Sequence, residues 1–159
     1  MNGDLFDAIY SWGIPSNKRK IVYQLLDAIT YLHDVLHIAH MDIKPENIVF
    51  DKHYNLVLID FDRACDIGDY KGEQIGTKDY LPPESKTHHL KHKRCPQKQD
   101  VWCIGLVIHE MYFKSTKVDM ALVAKCPDQI LKKIMTRALE EDPCDRPTAQ
   151  ELMALLPRI

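Results

Sequence analysis

Long apolar runs and paired cysteines are absent from this sequence, and its net charge is small. The longest apolar runs, such as residues 56–59, fall far short of the roughly 20 residues that a membrane-spanning helix needs. The five cysteines are odd in number and scattered, and no charged-then-apolar signal opens the chain. We therefore expect an intracellular protein of the cytoplasm or nucleus, without disulfides. A formal net charge of −2 argues against general attraction to nucleic acid or membrane surfaces.

The length of the chain fits one domain. A chain of 159 residues buries roughly 68–70% of the surface that its unfolded form exposes, which is enough for an independent core. Neither an internal repeat nor a low-complexity tract interrupts the sequence. We therefore expect a single domain over residues 1–159.

Hydrophobic periodicity predicts a mainly α chain (α+β) with one small β-hairpin. Apolar residues recur at helical spacing from residue 17 to about residue 36, with Ser16 after Pro15 as the N-cap. Two β-branched runs, 48–50 and 56–59, flank a short polar turn and predict the hairpin. Further helices are expected at about 100–113, with Asp100 as the N-cap, at 128–139, and at 148–155, where Thr148 and Glu151 form a capping box.

Four polar residues of complementary chemistry flank this hairpin. Asp42, Lys44 and Asn47 precede its first strand, and Asp60 follows its second. Phosphoryl transfer needs an acid to orient the nucleophile, a cation to neutralise charge and oxygen ligands for a divalent metal. The order favours Asp42 as the acid, Lys44 as the cation, and Asn47 with Asp60 as ligands of Mg²⁺, which prefers oxygen donors. The hairpin turn is expected to bring these two ligands together.

These residues belong to motifs that resemble those of the serine/threonine protein kinases. Residues 40–47, His-Met-Asp-Ile-Lys-Pro-Glu-Asn, resemble the catalytic loop, and residues 60–62, Asp-Phe-Asp, resemble the metal-binding motif. Later motifs follow in the family's order at 76–84, 100–105 and 145–147. Each motif alone is a weak signal, but five ordered coincidences are not expected by chance. The resemblance implies the C-terminal large lobe of a kinase, with the catalytic and metal motifs on the hairpin.

The resemblance implies ATP and Mg²⁺ as cofactors, and a protein hydroxyl as the phosphoryl acceptor. It gives the four polar residues the catalytic and metal-binding roles already described. Val49 and Leu5 are expected to form the floor of the adenine site. Asp4 is expected to contact the ribose or a basic substrate side chain, with capping of the first helix as its alternative.

The resemblance also implies an activation segment and its supports. Residues 62–84 show no sustained period and are predicted as a long loop, and residues 60–84 correspond to the activation segment. Thr77 is expected near the catalytic acid. Asp100 is expected to hold the catalytic-loop backbone, and Arg146 to pair with Glu84 through a guanidinium fork that suits a carboxylate. The full set of residues expected to support the site is His40, Phe61, Thr77, Glu84, Asp100 and Arg146.

Three positions depart from the family's pattern. Met41 replaces an arginine that binds a phosphorylated activation segment, so control by that route is not expected. Asp62 replaces a glycine and adds a carboxylate that either raises the negative charge at the site or points to solvent. Pro82 replaces a small residue before Pro83. This change is minor because both positions tolerate an extended backbone.

The family's small lobe, with its Gly-rich loop, strand lysine and helix glutamate, is not found in the sequence, so we expect the large lobe alone. Three hypotheses follow. The chain is the catalytic half of a kinase that acts on a protein substrate, either as a truncated reading frame or as a lobe completed by another polypeptide. Alternatively, it is a non-catalytic mimic that docks onto another kinase or its substrates through an uncovered apolar patch of Leu5, Val49 and Phe61. In the third hypothesis it is an inactive relic or scaffold.

A basic, histidine-rich segment covers residues 87–95. Its three histidines and one cysteine match no four-ligand zinc spacing, so a solvated basic loop is the preferred interpretation. Contact with an acidic partner, strengthened as the histidines protonate, stays open as an alternative.

Overall fold

The computed structural model describes residues 3–14, 17–86 and 94–157. Helices make up most of the regular structure, so the mainly α class predicted from the periodicity is confirmed. No helix among the described residues is long and apolar enough to cross a bilayer. The helices are α1 (Leu5–Asp7, continued by a π-helical turn at Ala8–Trp12), α2 (Lys18–Asp34), α3 (Pro83–Lys86), α4 (Pro96–Phe113), α5 (Met120–Ala124), α6 (Gln129–Ala138) and α7 (Ala149–Met153), and the strands are β1 (Ile38–Ala39), β2 (Ile48–Phe50), β3 (Leu56–Leu58) and β4 (Cys65–Asp66).

Helix α4 is the centre of the core. Fourteen of its eighteen residues are buried, and the uninterrupted apolar run at residues 101–108 covers every side of the helix, as expected for a helix in a core. The prediction that Asp100 caps this helix is wrong, because α4 begins at Pro96 after Cys95, and Asp100 lies inside the helix with no exposed surface. Helix α6 packs closely against α4, since a Cβ at Gly105 would lie only 2.8 Å from the side chain of Leu139.

Helix α2 packs its apolar face against α4 and α7. The side chain of Asn17 caps it by accepting the N–H of Arg19 at 2.8 Å. The predicted cap Ser16 and its neighbour Pro15 lie outside the described residues. At the other end of the chain, the capping box of Thr148 and Glu151 is present at the start of α7.

The hairpin forms where the sequence predicts it. Strands β2 and β3 are antiparallel, with Val49 opposite Val57, and the carboxylate of Asp51 closes the turn by accepting the N–H groups of His53 and Asn55 at 2.7 and 2.8 Å. The N–H of Ile59 donates to the carbonyl of Asn47 at 3.0 Å. The pairing therefore extends one residue beyond the open end of the hairpin. It holds Asn47 beside Ile59, the residue that precedes Asp60.

Several short elements were not predicted. They are the π-helical turn after α1, α3, α5 and the two-stranded sheet of β1 and β4. The predicted loop at 62–84 contains β4, a 3₁₀ turn at Lys78–Tyr80 and the start of α3. Of the basic segment 87–95, residues 87–93 lie outside the described residues.

Candidate active site

Asp42 lies at the centre of a polar cluster built from the catalytic loop and the activation segment. Its side chain is 3% exposed. One carboxylate oxygen accepts the hydroxyl of Thr77 at 2.6 Å, and the other lies 3.2 Å from the ammonium of Lys44. Lys44 also donates to Thr77 Oγ1 at 3.1 Å, and Asn47 Nδ2 donates to the Asp42 carbonyl at 2.8 Å. The fold thus brings together four residues that the sequence separates by up to 35 positions.

The cluster keeps the Asp42 carboxyl ionised. Burial alone raises the pKa of this group, but the hydrogen bonds from Thr77 and Lys44 and the charges of Lys44 and Arg63 outweigh that effect. The pKa of Asp42 is therefore lower than its ordinary value. A buried, ionised carboxylate that faces a half-buried ammonium and a hydroxyl can orient a second hydroxyl and accept its proton.

Asp100 fixes the backbone of the catalytic loop. Its carboxylate accepts the N–H groups of His40 and Met41, both at 2.8 Å, and lies 2.9 Å from His33 Nε2. Met41 has a left-handed backbone, with φ of 66°, which is uncommon for a residue other than glycine. Gly76 packs against the carbonyl of Met41, where a Cβ would lie at 2.9 Å. These contacts hold Asp42 in place without touching its carboxylate.

Asp60 is presented to solvent at the end of the hairpin. Its φ of 63° is also left-handed, and such strained residues cluster at functional sites. His40 supports this segment, because its Nε2 lies 3.0 Å from the carbonyl of Ile59 and its ring centroid lies 4.8 Å from that of Phe61. Within the described residues the Asp60 carboxylate forms no hydrogen bond or ion pair, so its oxygens are available to a ligand.

A buried ion pair closes the activation segment. The guanidinium of Arg146, 1% exposed, donates to both carboxylate oxygens of Glu84 at 2.6 and 2.7 Å. It also donates to three backbone carbonyls and stacks 4.9 Å from the ring of Trp102. The structure therefore joins the end of the activation segment to the loop before α7.

The predicted adenine floor is only partly consistent with the structure. Leu5 has no exposed surface, because α1 packs it into the core, so its side chain cannot touch a nucleotide in this conformation. Val49 is 6% exposed and pairs with Asp4 in a β-bridge. The carboxylate of Asp4 accepts the N–H of Asp7 at 2.7 Å, so its capping alternative is the one observed. The predicted apolar patch is also wrong, since only Phe61, 45% exposed, is uncovered.

Two features of the site were not found from the sequence. Arg63, whose side chain is 48% exposed, places its Nε 3.8 Å from the Asp42 carboxylate. The only sequence signal for it is a cation three positions after Asp60. In addition, the buried carboxylate of Glu110 on α4 accepts the hydroxyls of Tyr10, at 2.9 Å, and of Tyr80. Burial and the bonds to Glu110 raise the pKa of Tyr10 to about 12 and raise that of Tyr80.

The three departures from the kinase pattern have different surroundings. Met41 is completely buried, and Pro82 is also buried. Asp62 is exposed to solvent and forms no hydrogen bond or ion pair in the part of the chain that the structure describes. Exposure of this carboxylate to solvent is one of the two alternatives that the sequence left open.

Comparison with known proteins shows which family this chain resembles. The protein kinase domain family matches residues 1–155. The chain is 28% identical to the serine/threonine-protein kinase PKH1 of Saccharomyces cerevisiae over 98% of this chain and 24% of that protein. It is 31% identical to an Aurora kinase of Eremothecium gossypii over 82% and 39% of the two chains. It is 27% identical to the liver/testis phosphorylase b kinase gamma catalytic chain of Bos taurus over 95% and 43%.

The chain thus spans between about a quarter and two fifths of the length of these relatives. The match nevertheless runs through nearly all of its residues, and the resemblance read from its motifs is confirmed. The chain belongs to the protein kinase domain family.

Proposed function

We propose that this chain transfers the γ-phosphoryl group of ATP to serine or threonine hydroxyls of protein substrates. The observation that carries the proposal is the Asp42 carboxylate, which is almost fully buried yet kept ionised between Lys44 and Thr77. Two donors from different segments, converging on a carboxylate beside the exposed Asp60, suit an acid that orients a hydroxyl in phosphoryl transfer.

In this proposal each residue of the cluster has a separate role. Asp42 binds the substrate hydroxyl and takes its proton, and Lys44 neutralises charge on the transferred group. Thr77 Oγ1 stands between them, 2.6 Å from the carboxylate and 3.1 Å from the ammonium. It therefore occupies the hydrogen-bonding position that an incoming hydroxyl needs, and we expect it to keep Asp42 in place until substrate binds.

The residues present fit a magnesium–nucleotide complex. Asn47 uses its Nδ2 to hold the Asp42 carbonyl, which leaves its Oδ1 as an oxygen donor. The exposed Asp60 carboxylate supplies another. No cluster of three or more His, Cys, Asp or Glu side chains that could hold a metal ion occurs within the described ranges, and Mg²⁺ typically combines one or two protein oxygens with waters and substrate phosphates. When bound, the ion would neutralise charge on the phosphates. Val49 is the remaining candidate for the adenine floor.

The other parts of a nucleotide site are expected from outside this sequence. The relatives are much longer than the matched region, and the family's small lobe covers the phosphates. We therefore expect weak nucleotide binding by this chain alone and tighter binding when that lobe is supplied, in the same or another polypeptide. The five cysteines are free thiols, as suits the reducing cytoplasm or nucleus.

The alternative function is a non-catalytic mimic that regulates other kinases. The apolar patch that suggested it is not observed. That hypothesis required an uncovered patch of Leu5, Val49 and Phe61, and the first two are buried. It stays as the interpretation to adopt if the following experiment gives no nucleotide-dependent chemistry.

The experiment is magnesium-dependent ATP binding by the 159-residue chain, measured by calorimetry, followed by phosphotransfer to a generic protein substrate. Asp60→Asn is the test variant, and Asp62→Asn is a matched control because it is an exposed aspartate two residues away. Binding that Asp60→Asn abolishes and Asp62→Asn retains supports the proposal, as does transfer that Asp42→Asn abolishes. A folded chain that binds no ATP at millimolar nucleotide contradicts autonomous catalysis.

A further inference from the structure

We propose that a lysine-lined groove beside Thr77 binds an anionic side chain, a carboxylate or a phosphate, next to the target hydroxyl of the protein substrate. The inference rests on the proposed function and adds a substrate class to it. The groove has a volume of about 530 Å³. We call it the lysine groove, and its charged lining is Lys78, Lys86, Lys117 and Asp79.

The lysine groove is unusual because cations from three separate parts of the fold converge on it. Lys78 comes from the 3₁₀ turn after Thr77, Lys86 from the end of α3, and Lys117 from the segment between α4 and α5. All three side chains are exposed, and none forms an ion pair or hydrogen bond within the described residues. Three lysines and one aspartate thus line the groove, in a chain whose net charge is −2.

The lysine groove and the candidate active site are adjacent along the chain. Thr77 donates to the Asp42 carboxylate, and the next residue along the chain, Lys78, already lines the groove. An extended peptide advances about 3.3–3.6 Å per residue. A substrate whose hydroxyl lies at Asp42 therefore reaches Lys78, at the near side of the groove, within a few residues, so an anion bound there must lie close to the target in sequence.

The lining of an adjoining cavity is acidic. The groove shares Lys86 and Lys117 with a larger cavity of about 820 Å³, and the lining of that cavity also includes Glu140, Glu141 and Asp145. These carboxylates repel a long acidic tract. The preferred substrate is therefore one with a single anionic residue, or a short cluster, beside the target hydroxyl rather than an extended acidic tail.

The test measures peptide binding, so it does not depend on catalysis. Each fluorescent peptide has one central serine as the target. A glutamate, a phosphoserine or a glutamine is placed within three positions of that serine, before or after it. The fluorescence anisotropy of each peptide is measured with the purified chain. The test variant is Lys78→Gln/Lys86→Gln/Lys117→Gln. The matched control replaces three other exposed lysines, Lys52, Lys125 and Lys133, and so changes the net charge equally.

We expect the parent to bind a glutamate or phosphoserine peptide about tenfold more tightly than the glutamine peptide, because several individually weak exposed ion pairs act together on the anion. The test variant should lose this preference, and the control should keep it. Preference for phosphoserine alone identifies phosphate as the anion. No preference in the parent, or equal loss in the control, overturns the inference.

The same peptides separate failure of this inference from failure of the proposed function. Asp42→Asn should keep the preference for the anionic peptide over the glutamine peptide but should not phosphorylate it. Lysine-dependent binding without transfer by the parent contradicts the function and leaves an anion-binding groove. Transfer that ignores both the flanking anion and the lysines supports the function and contradicts the groove.

Discussion

Replacing Asp100 with asparagine tests how strongly this carboxylate stabilises the backbone of the catalytic loop. The two residues have the same shape, but the carboxylate accepts the N–H groups of His40 and Met41 at once, with both bonds at 2.8 Å. An asparagine has only one acceptor oxygen at that end. In either orientation its amide NH₂ points at one of the two backbone N–H groups, so one bond is lost and a buried donor is left without a partner.

The expected cost follows from these contacts. A hydrogen bond to a charged group contributes about 1.5–3 kcal/mol, and a buried donor without a partner costs about 1–3 kcal/mol. Asp100 has no exposed surface, so water cannot compensate. We expect Asp100→Asn to lower the free energy of unfolding by about 3–5 kcal/mol, which is a large share of the roughly 5–15 kcal/mol typical of a domain.

Urea unfolding followed by circular dichroism measures this change. Asp69→Asn is the control, because Asp69 is exposed and its side chain forms no hydrogen bond or ion pair among the described residues, and a change there should stay within about 0.5 kcal/mol. If Asp100→Asn costs less than about 1 kcal/mol, the carboxylate does not hold the loop as its geometry indicates. The left-handed Met41 would then need another explanation.

Three further predictions concern the charges around the site. Arg146→Met and Glu84→Gln should each lower the free energy of unfolding by about 3–5 kcal/mol, while the double variant recovers part of the loss in urea unfolding; additive losses would contradict coupling. Arg63→Ala should raise the pKa of the Asp42 carboxyl, measured by NMR titration, and an unchanged value would show that the ion pair is absent in solution. Because the folded pKa of Asp42 is lowered, its contribution to stability is present above about pH 4 and is lost as the pH falls through the folded pKa. Thr77→Val should therefore make unfolding less pH-dependent below about pH 4, and an unaltered acid limb would refute this.

Local patterns were sufficient for the elements that have strong local signals. The hairpin has β-branched strands and a polar turn, and the start of α7 has a capping box, so both could be predicted. The start of α4 could not, because its first turn, 97–99, is polar and conceals a helix that already begins with a proline at Pro96. The apolar periodicity begins at Val101, which made Asp100 resemble a cap.

Burial and long-range reach were not readable from the sequence. Leu5 is expected from the sequence to line a nucleotide site, and nothing local shows that α1 packs it completely into the core. Arg63 contacts a residue 21 positions away through a long side chain. Strands β1 and β4 are two residues each and exist only because the fold brings them together. Such features depend on tertiary packing, which periodicity does not encode.

A loss of activity has a different meaning when the substituted residue is buried in a network than when it is an exposed ligand. Asp100 and the pair of Glu84 with Arg146 are buried and hold backbone in place, so a kinase fold requires them whether or not it transfers phosphate. Asp60 is exposed, has a strained backbone and has no partner within the described part of the chain, so nothing in the fold requires its carboxylate. A variant that loses activity through Asp100 or Arg146 therefore reports on folding. Only loss of activity through Asp60 or Asp42, in a chain that remains folded, reports on chemistry.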